Sequence, residues 1–202
     1  MNVRLKYDMP FSAGVFYNDE MQINQYSLRL RMITNSTNPS HHNTAFERLK
    51  HFVYNEIDSA IFINSDQKDQ AKRYVKAGLK VVTLPGDPVD QVIGIMLYHK
   101  LNAIMEGRIM IVETEISSAM GDSMIYLHSE NELTKDINKP AWWSSNDLVH
   151  ADANLTGVDK VVSMHQASAW RELDLAWEET SEDDAHGNTV VFADFKRTDE
   201  TE

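Results

Sequence analysis

The side chains that could do chemistry sit at a few places in the chain. Asn35, Asn64, Ser65, Thr83, Gly86 and Asp87 fall at the ends of short apolar or alternating stretches, each followed by a helix-forming segment. In an open α/β sheet this is the crevice at the carboxyl ends of parallel strands, where helix N-termini favour anions. The set therefore offers a site to a nucleotide or another phosphate-bearing molecule. Ser, Asn and Asp are also the preferred helix caps, so the competing reading is structural.

A metal reading draws on Tyr126, His128, Glu130 and Glu132, which share one face of a continued strand, and on Glu113 and Glu115 in the strand before. Imidazole with carboxylate suits several divalent cations. An exposed edge strand kept polar against aggregation gives the same pattern, so no metal or cofactor is called. His41-His42 is a weaker pair in a loop. Asp152, Asn154, Thr156 and Gly157 copy the first half of a calcium loop, but Ser163 stands where the bidentate Glu belongs. Lys68, Lys72 and Lys76 form a helical stripe that suits an acidic partner or plain solvation. Trp142-Trp143 stands in a polar segment after Pro140, as an interface anchor or as a cover for the sheet edge. Trp170 and Trp177 are expected buried on one face of a helix over 168–179, and at least one of Trp142 and Trp143 accessible.

Strands are expected over Asn2–Tyr7 and Gln25–Ile33, the second from strict alternation. Thr44 and Glu47 spell a capping box for the helix that follows. Ser59–Ile63 and Leu79–Leu84 are short apolar strands, with a helix between them stopped by Gly78. Asp87-Pro88 opens a third helix, which the apolar run from Val92 to Met105 would bury. Arg108–Ile116 and Ser123–His128 complete the pattern as a hairpin. Strands alternating with helices indicate a mixed α/β fold, with a mostly parallel sheet, helices on both faces and an antiparallel edge hairpin. After Glu132 the periodicity lapses. The expected organisation is an α/β domain over 1–132, a linker or covering segment over 133–157, and a small acidic α+β appendage over 158–202, with strands at Val158–Met164 and Thr189–Phe195.

The chain has 202 residues and no cysteine, which removes disulfides, zinc–thiolate sites and thiol nucleophiles. Its formal charge is −12, and residues 166–202 alone carry a net −8. That argues against broad nucleic-acid binding, since phosphate backbones repel it. The acidic run through Glu172, Asp174, Glu178, Glu179, Glu182, Asp183 and Asp184 leaves a nucleic-acid mimic as a third reading. His99, Lys100 and Asn102 make the most apolar segment too polar for a membrane span. No P-loop, G-x-G-x-x-G, H-E-x-x-H or G-x-S-x-G occurs.

The segments DSAIFINS, AGLKVVTLPGDPVDQVIGIMLYHKLNAIMEGR and ISSAMGDSMIYLHSENE, within 43–130, resemble small uncharacterised accessory proteins of T4-like tailed bacteriophages. The resemblance implies a viral protein acting in the host cytoplasm and assigns no residue a role. The expected function is a non-catalytic, cytoplasmic accessory protein that binds another protein. The alternative is an enzyme or sensor using the strand-end crevice. The oligomeric state is left open.

Overall fold

The computed structural model describes residues 4–34, 36–129, 141–148 and 169–178. Two long strands come first, β1 (Arg4–Tyr17) and β2 (Glu20–Thr34), joined by Asn18 and Asp19. Both linking residues have positive φ, 51° and 61°, as a two-residue hairpin turn requires. Helix α1 (Pro39–His51) runs directly into a π-helical turn, Phe52–Ile57. Then come β3 (Ile61–Asn64), α2 (Lys68–Lys76), β4 (Val81–Leu84), α3 (Asp90–Met105), β5 (Ile109–Ser118) and β6 (Tyr126–Ser129). Short 3-10 turns occupy Trp142–Ser144 and Trp170–Leu173. Among the described residues no helix is long and apolar enough to cross a membrane.

The six strands form one mixed sheet in the order β4-β3-β1-β2-β5-β6. β3 joins β1 in parallel and β4 joins β3 in parallel, while β1/β2, β2/β5 and β5/β6 are antiparallel. The antiparallel part therefore extends well beyond the edge hairpin expected, because β1 and β2 make one long central hairpin. Pro10 is tolerated inside β1 because β3 pairs only from Gly14 onward, so that edge of β1 needs no donor at Pro10.

Local signals were displaced more often than absent. Asn38 caps α1, accepting from the Ser40 amide at 2.9 Å with Pro39 in the first turn, so Thr44 lies inside the helix. Val89, not Asp87, occupies the cap position of α3. The expected helix over 168–179 is a single 3-10 turn, stopped where Asp174 adopts φ 57°.

Period-2 alternation sorts the sheet. Leu28, Leu30 and Met32 of β2, Phe62 of β3, and Val82 and Leu84 of β4 join the main core with α1 and α3. Ile61, Ile63 and Val81 point the other way and pack with Phe16 and with Ala71, Tyr74 and Val75 of α2. The outward residues of β1, β2 and β5 carry charge: Arg29 bonds Asp8 at 2.8 Å and Glu115 at 2.7 Å, and Arg31 bonds Glu115 at 2.9 Å and Glu113 at 3.0 Å. Desolvation would raise the Glu115 carboxyl, but the two arginines outweigh it and hold it below its ordinary range.

Two segments from beyond residue 140 lie on the helical side, each held by a buried cation. Lys100 of α3 is fully buried, and its ammonium donates to the carbonyls of Trp142 at 3.0 Å and Ser145 at 2.9 Å, and to Asp147 at 3.3 Å. Arg48 of α1 donates to the Leu175 carbonyl at 2.7 Å, the Ile104 carbonyl at 3.1 Å and Glu106 at 2.9 Å. Its guanidinium lies 5.0 Å from the Trp170 ring and 4.0 Å from the Trp177 ring. Trp142, Trp143 and Leu148, from the expected covering segment, and Trp170 thereby become part of the main core.

Burial pushes the Lys100 ammonium down from 10.5 to about 8, against the opposing pull of Asp147. Between those two values the folded chain binds fewer protons than the unfolded one, so this group's contribution to stability rises with pH across that window. Denaturant titrations from pH 8 to 10.5 should show the wild type gaining up to about 3 kcal/mol relative to Lys100→Met. Parallel pH profiles of the two proteins would contradict the burial of a charged ammonium.

Candidate functional site

The strand-end set divides. β2 runs antiparallel to β1, so Thr34 pairs with Ile109 at the end of the sheet where β1 begins. Asn64 and Leu84 lie at the opposite end, beside the β1–β2 turn. The three-loop crevice is therefore corrected to two loops, and Asn35 itself lies outside the described residues. Asn64, Ser65 and Asp87 do come together: the Asn64 amide donates to Asp87 at 3.0 Å, and the Ser65 amide donates to the Leu84 carbonyl at 2.8 Å. Gly86 faces open space. Thr83 is buried, and its carbonyl accepts from the Trp142 indole at 2.8 Å. Asp87 and Asp90 put two carboxylates at this corner, and Asp90 is already bonded by the Ser118 hydroxyl at 2.7 Å. Negative charge at the start of α3 competes with any phosphate for the helix N-terminus.

The metal set divides as well. His128 is buried toward α3, with its ring 4.7 Å from Tyr98 and 5.9 Å from His99. Glu113 and Glu115 point out of the opposite face into Arg29 and Arg31. Glu130, Glu132 and the 152–157 turn lie outside the described residues. Desolvation first, and then His128, lowers the His99 pKa. His41 and His42 bond the hydroxyl and carbonyl of Ser36 at 3.1 Å and 2.7 Å. Among the described residues no three His, Asp or Glu side chains gather as a metal set.

Trp170 is buried as expected, whereas the expectation that Trp142 or Trp143 is accessible is corrected. Trp142 and Trp143 are 5% and 8% exposed, so neither presents an interface in this fold. Trp170 is buried too, and its indole donates to the Asn146 carbonyl, linking the two C-terminal segments. Trp177 is half-buried, with the guanidinium groups of Arg48 and Arg108 at 4.0 Å and 4.1 Å from its ring. Charge–quadrupole attraction accounts for that placement.

What the described residues leave open is the outward face of β1, β2 and β5 and the adjoining end of the sheet. A shallow concavity of about 640 Å³ lies there, lined by Ser12, Gln25, Ser27, Asp58, Ser117 and Ser118 among others. Beside it the turns β1–β2 and β5–β6 meet: Ala119 donates to the Gln25 carbonyl at 2.9 Å and Met120 to the Asn24 side chain at 3.2 Å. Ile23 is 82% exposed on the first hairpin, and Met120, Met124, Ile125 and Leu127 are each more than half exposed on the second. Sequence reasoning passed over these residues because single exposed apolar side chains are ordinary, and only the pairing of the two hairpins gathers them.

The chain matches no known family model and no curated protein. Among solved structures it is similar to an uncharacterised protein of Wolinella succinogenes, with 11% identity over 64% of this chain and 99% of that one and a TM-score of 0.45. It is also similar to a catalytic-residue mutant of Plasmodium vivax 6-pyruvoyltetrahydropterin synthase, with 13% identity over 63% of this chain and 97% of that one and a TM-score of 0.42.

The Trp142 placement is directly testable. Trp142→Ala should cost roughly 3–5 kcal/mol in denaturant unfolding, as loss of a large core side chain does. A tryptophan serving only as an interface anchor would leave stability nearly unchanged.

Proposed function

We propose that this protein works by binding another protein, through the end of the sheet where the β1–β2 and β5–β6 hairpins meet. The observation that carries the reading is the run of exposed apolar side chains on two touching hairpins: Met120, Met124 and Ile125 between β5 and β6, with Ile23 on β2 and Leu127 on β6. Large apolar groups held in water at one place are stabilised when a partner covers them. Polar and charged groups on the same side, from Ser27 and Ser117 to the Arg29–Glu115 ladder, supply the rim that fixes register. The tryptophans take no part, because they are consumed in the fold.

In this reading the role is non-catalytic. The partner is met in the cytoplasm of an infected cell, as the resemblance of residues 43–130 to phage accessory proteins implies. The acidity of the chain favours a partner with a basic surface at low salt.

The test is a double substitution, Ile23→Asp with Leu127→Asp. Both side chains are exposed, so thermal unfolding should shift little. Tagged wild type should retain a stoichiometric partner from the native host cell, and the double variant should lose it. Equal capture by both proteins, with the fold intact in each, would refute this surface.

A further inference from the structure

We propose that the concavity on the outward face is a separate binding site for a small cationic polar molecule, an amine or guanidinium bearing further hydrogen-bonding groups, anchored by the Asp58 carboxylate. This goes beyond the protein-binding reading: Ser27 and Ser117 border both surfaces, but the anchor Asp58 lies outside the exposed apolar set of Ile23, Met120, Met124, Ile125 and Leu127.

The first observation is how Asp58 reaches the concavity. α1 does not end in an ordinary cap. Its continuation widens into the π-helical turn Phe52–Ile57, closed by the Asp58 amide donating to the Val53 carbonyl at 2.8 Å. The next residue, Ser59, stands at φ 62°, a left-handed conformation that is strained for a non-glycine residue. Two irregularities in succession are held by their surroundings. The Ser59 amide donates to the Ser12 carbonyl at 2.7 Å, the Ala60 amide to the Ile57 carbonyl at 3.0 Å, and the Lys80 ammonium to the carbonyls of Asn55 and Asp58. Strain fixed in this way is characteristic of functional positions. Its result is a carboxylate set beside β1, accepting from the Ser12 amide at 2.8 Å and the Ser59 hydroxyl at 3.3 Å. Each oxygen of an ionised carboxylate accepts more than one hydrogen bond, so capacity remains for a ligand.

The second observation is the charge of the lining. Asp58 is its one side chain charged at neutral pH; the rest of its polar side chains are hydroxyls and the Gln25 amide, and no lysine or arginine lines the site. The arginines farther along the same face, Arg29 and Arg31, are engaged by Asp8, Glu113 and Glu115. Nothing in the lining compensates an anion, and the chain as a whole is at −12, which enriches cations at its surface. Lys80 is the nearest cation, but its ammonium is held by the Asn55 and Asp58 backbone carbonyls and is not part of the lining. The Asp58 carboxylate therefore still offers a charge-assisted contact to an N–H donor, with the hydroxyls recognising the remainder of the molecule.

Agmatine and glucosamine are suitable cationic probes, with glucose 6-phosphate as the anionic comparator, read by saturation-transfer NMR and calorimetry on the full chain. At least one cationic probe should bind and glucose 6-phosphate should not. Asp58→Asn keeps the acceptor for the Ser12 amide and removes the charge, so it should weaken that binding by about tenfold or more. Ser27→Lys introduces a cation at an exposed strand position and should weaken it similarly while leaving thermal unfolding unchanged. That variant decides the matter if Asp58→Asn proves unstable. Absence of binding by both cationic probes, equal binding of glucose 6-phosphate, or cation binding that survives Ser27→Lys would each overturn the proposal. None of these outcomes bears on capture of a protein through Ile23 and Leu127.

Discussion

A positive charge withdrawn from water must be given acceptors, and in this protein that requirement shapes everything on the helical side of the sheet. Lys100 stands in the middle of α3, fully buried, and its ammonium is bonded to acceptors outside that helix. The acceptors come from a segment more than forty residues away, as two backbone carbonyls and Asp147. Arg48 repeats the arrangement from α1 with the segment around Leu175. Removing either cation would leave buried or part-buried carbonyls without their donor, and removing the segment around Ser145 would leave Lys100 without the acceptors that hold it. Such pairings specify an arrangement more than they stabilise it, since the desolvation cost consumes much of the Coulombic gain.

The consequence for function is a division of labour between the two sides of the sheet. The aromatic anchors that would suit an interface are used to close the helical side, with Trp142 on the Thr83 carbonyl, Trp170 on the Asn146 carbonyl and Trp177 between two guanidinium groups. The outward side keeps a charge ladder, a hydroxyl-lined hollow and an apolar end. The proposed protein partner and the proposed small ligand are both assigned to that side, one on the hairpins and one beside Asp58.

The parts legible in the sequence were those written in side-chain periodicity. The apolar run from Val92 to Met105 is the buried α3, SAIFI and the stretch ending at Leu84 are the parallel strands β3 and β4, and the alternation from Tyr26 to Met32 is the half-covered β2. The long reach of β1 was hidden by Pro10, which argues against a strand unless one edge is unpaired. The direction of β2 was hidden too, and with it went the crevice that joined Asn35 to Asn64 and Asp87. The π-helical turn and left-handed Ser59 leave no mark in residue type, so Asp58 read as an ordinary residue before a strand. The clamps were the least visible of all, because their acceptors are backbone carbonyls. Lys100 registered only as polarity within an apolar run, and His99 gave no hint that His128 would pack near it.

The helical side is closed by its own tryptophans, and the proposed binding surfaces lie on the outward side. Acrylamide quenching of the isolated protein tests it most directly, since every tryptophan of the chain lies in the segments after residue 140. The account predicts blue-shifted emission, with most of the fluorescence protected from quencher until the protein is unfolded. Red-shifted emission that is quenched freely in the folded protein would contradict it, since the segments held by Lys100 and Arg48 would then stand open to water.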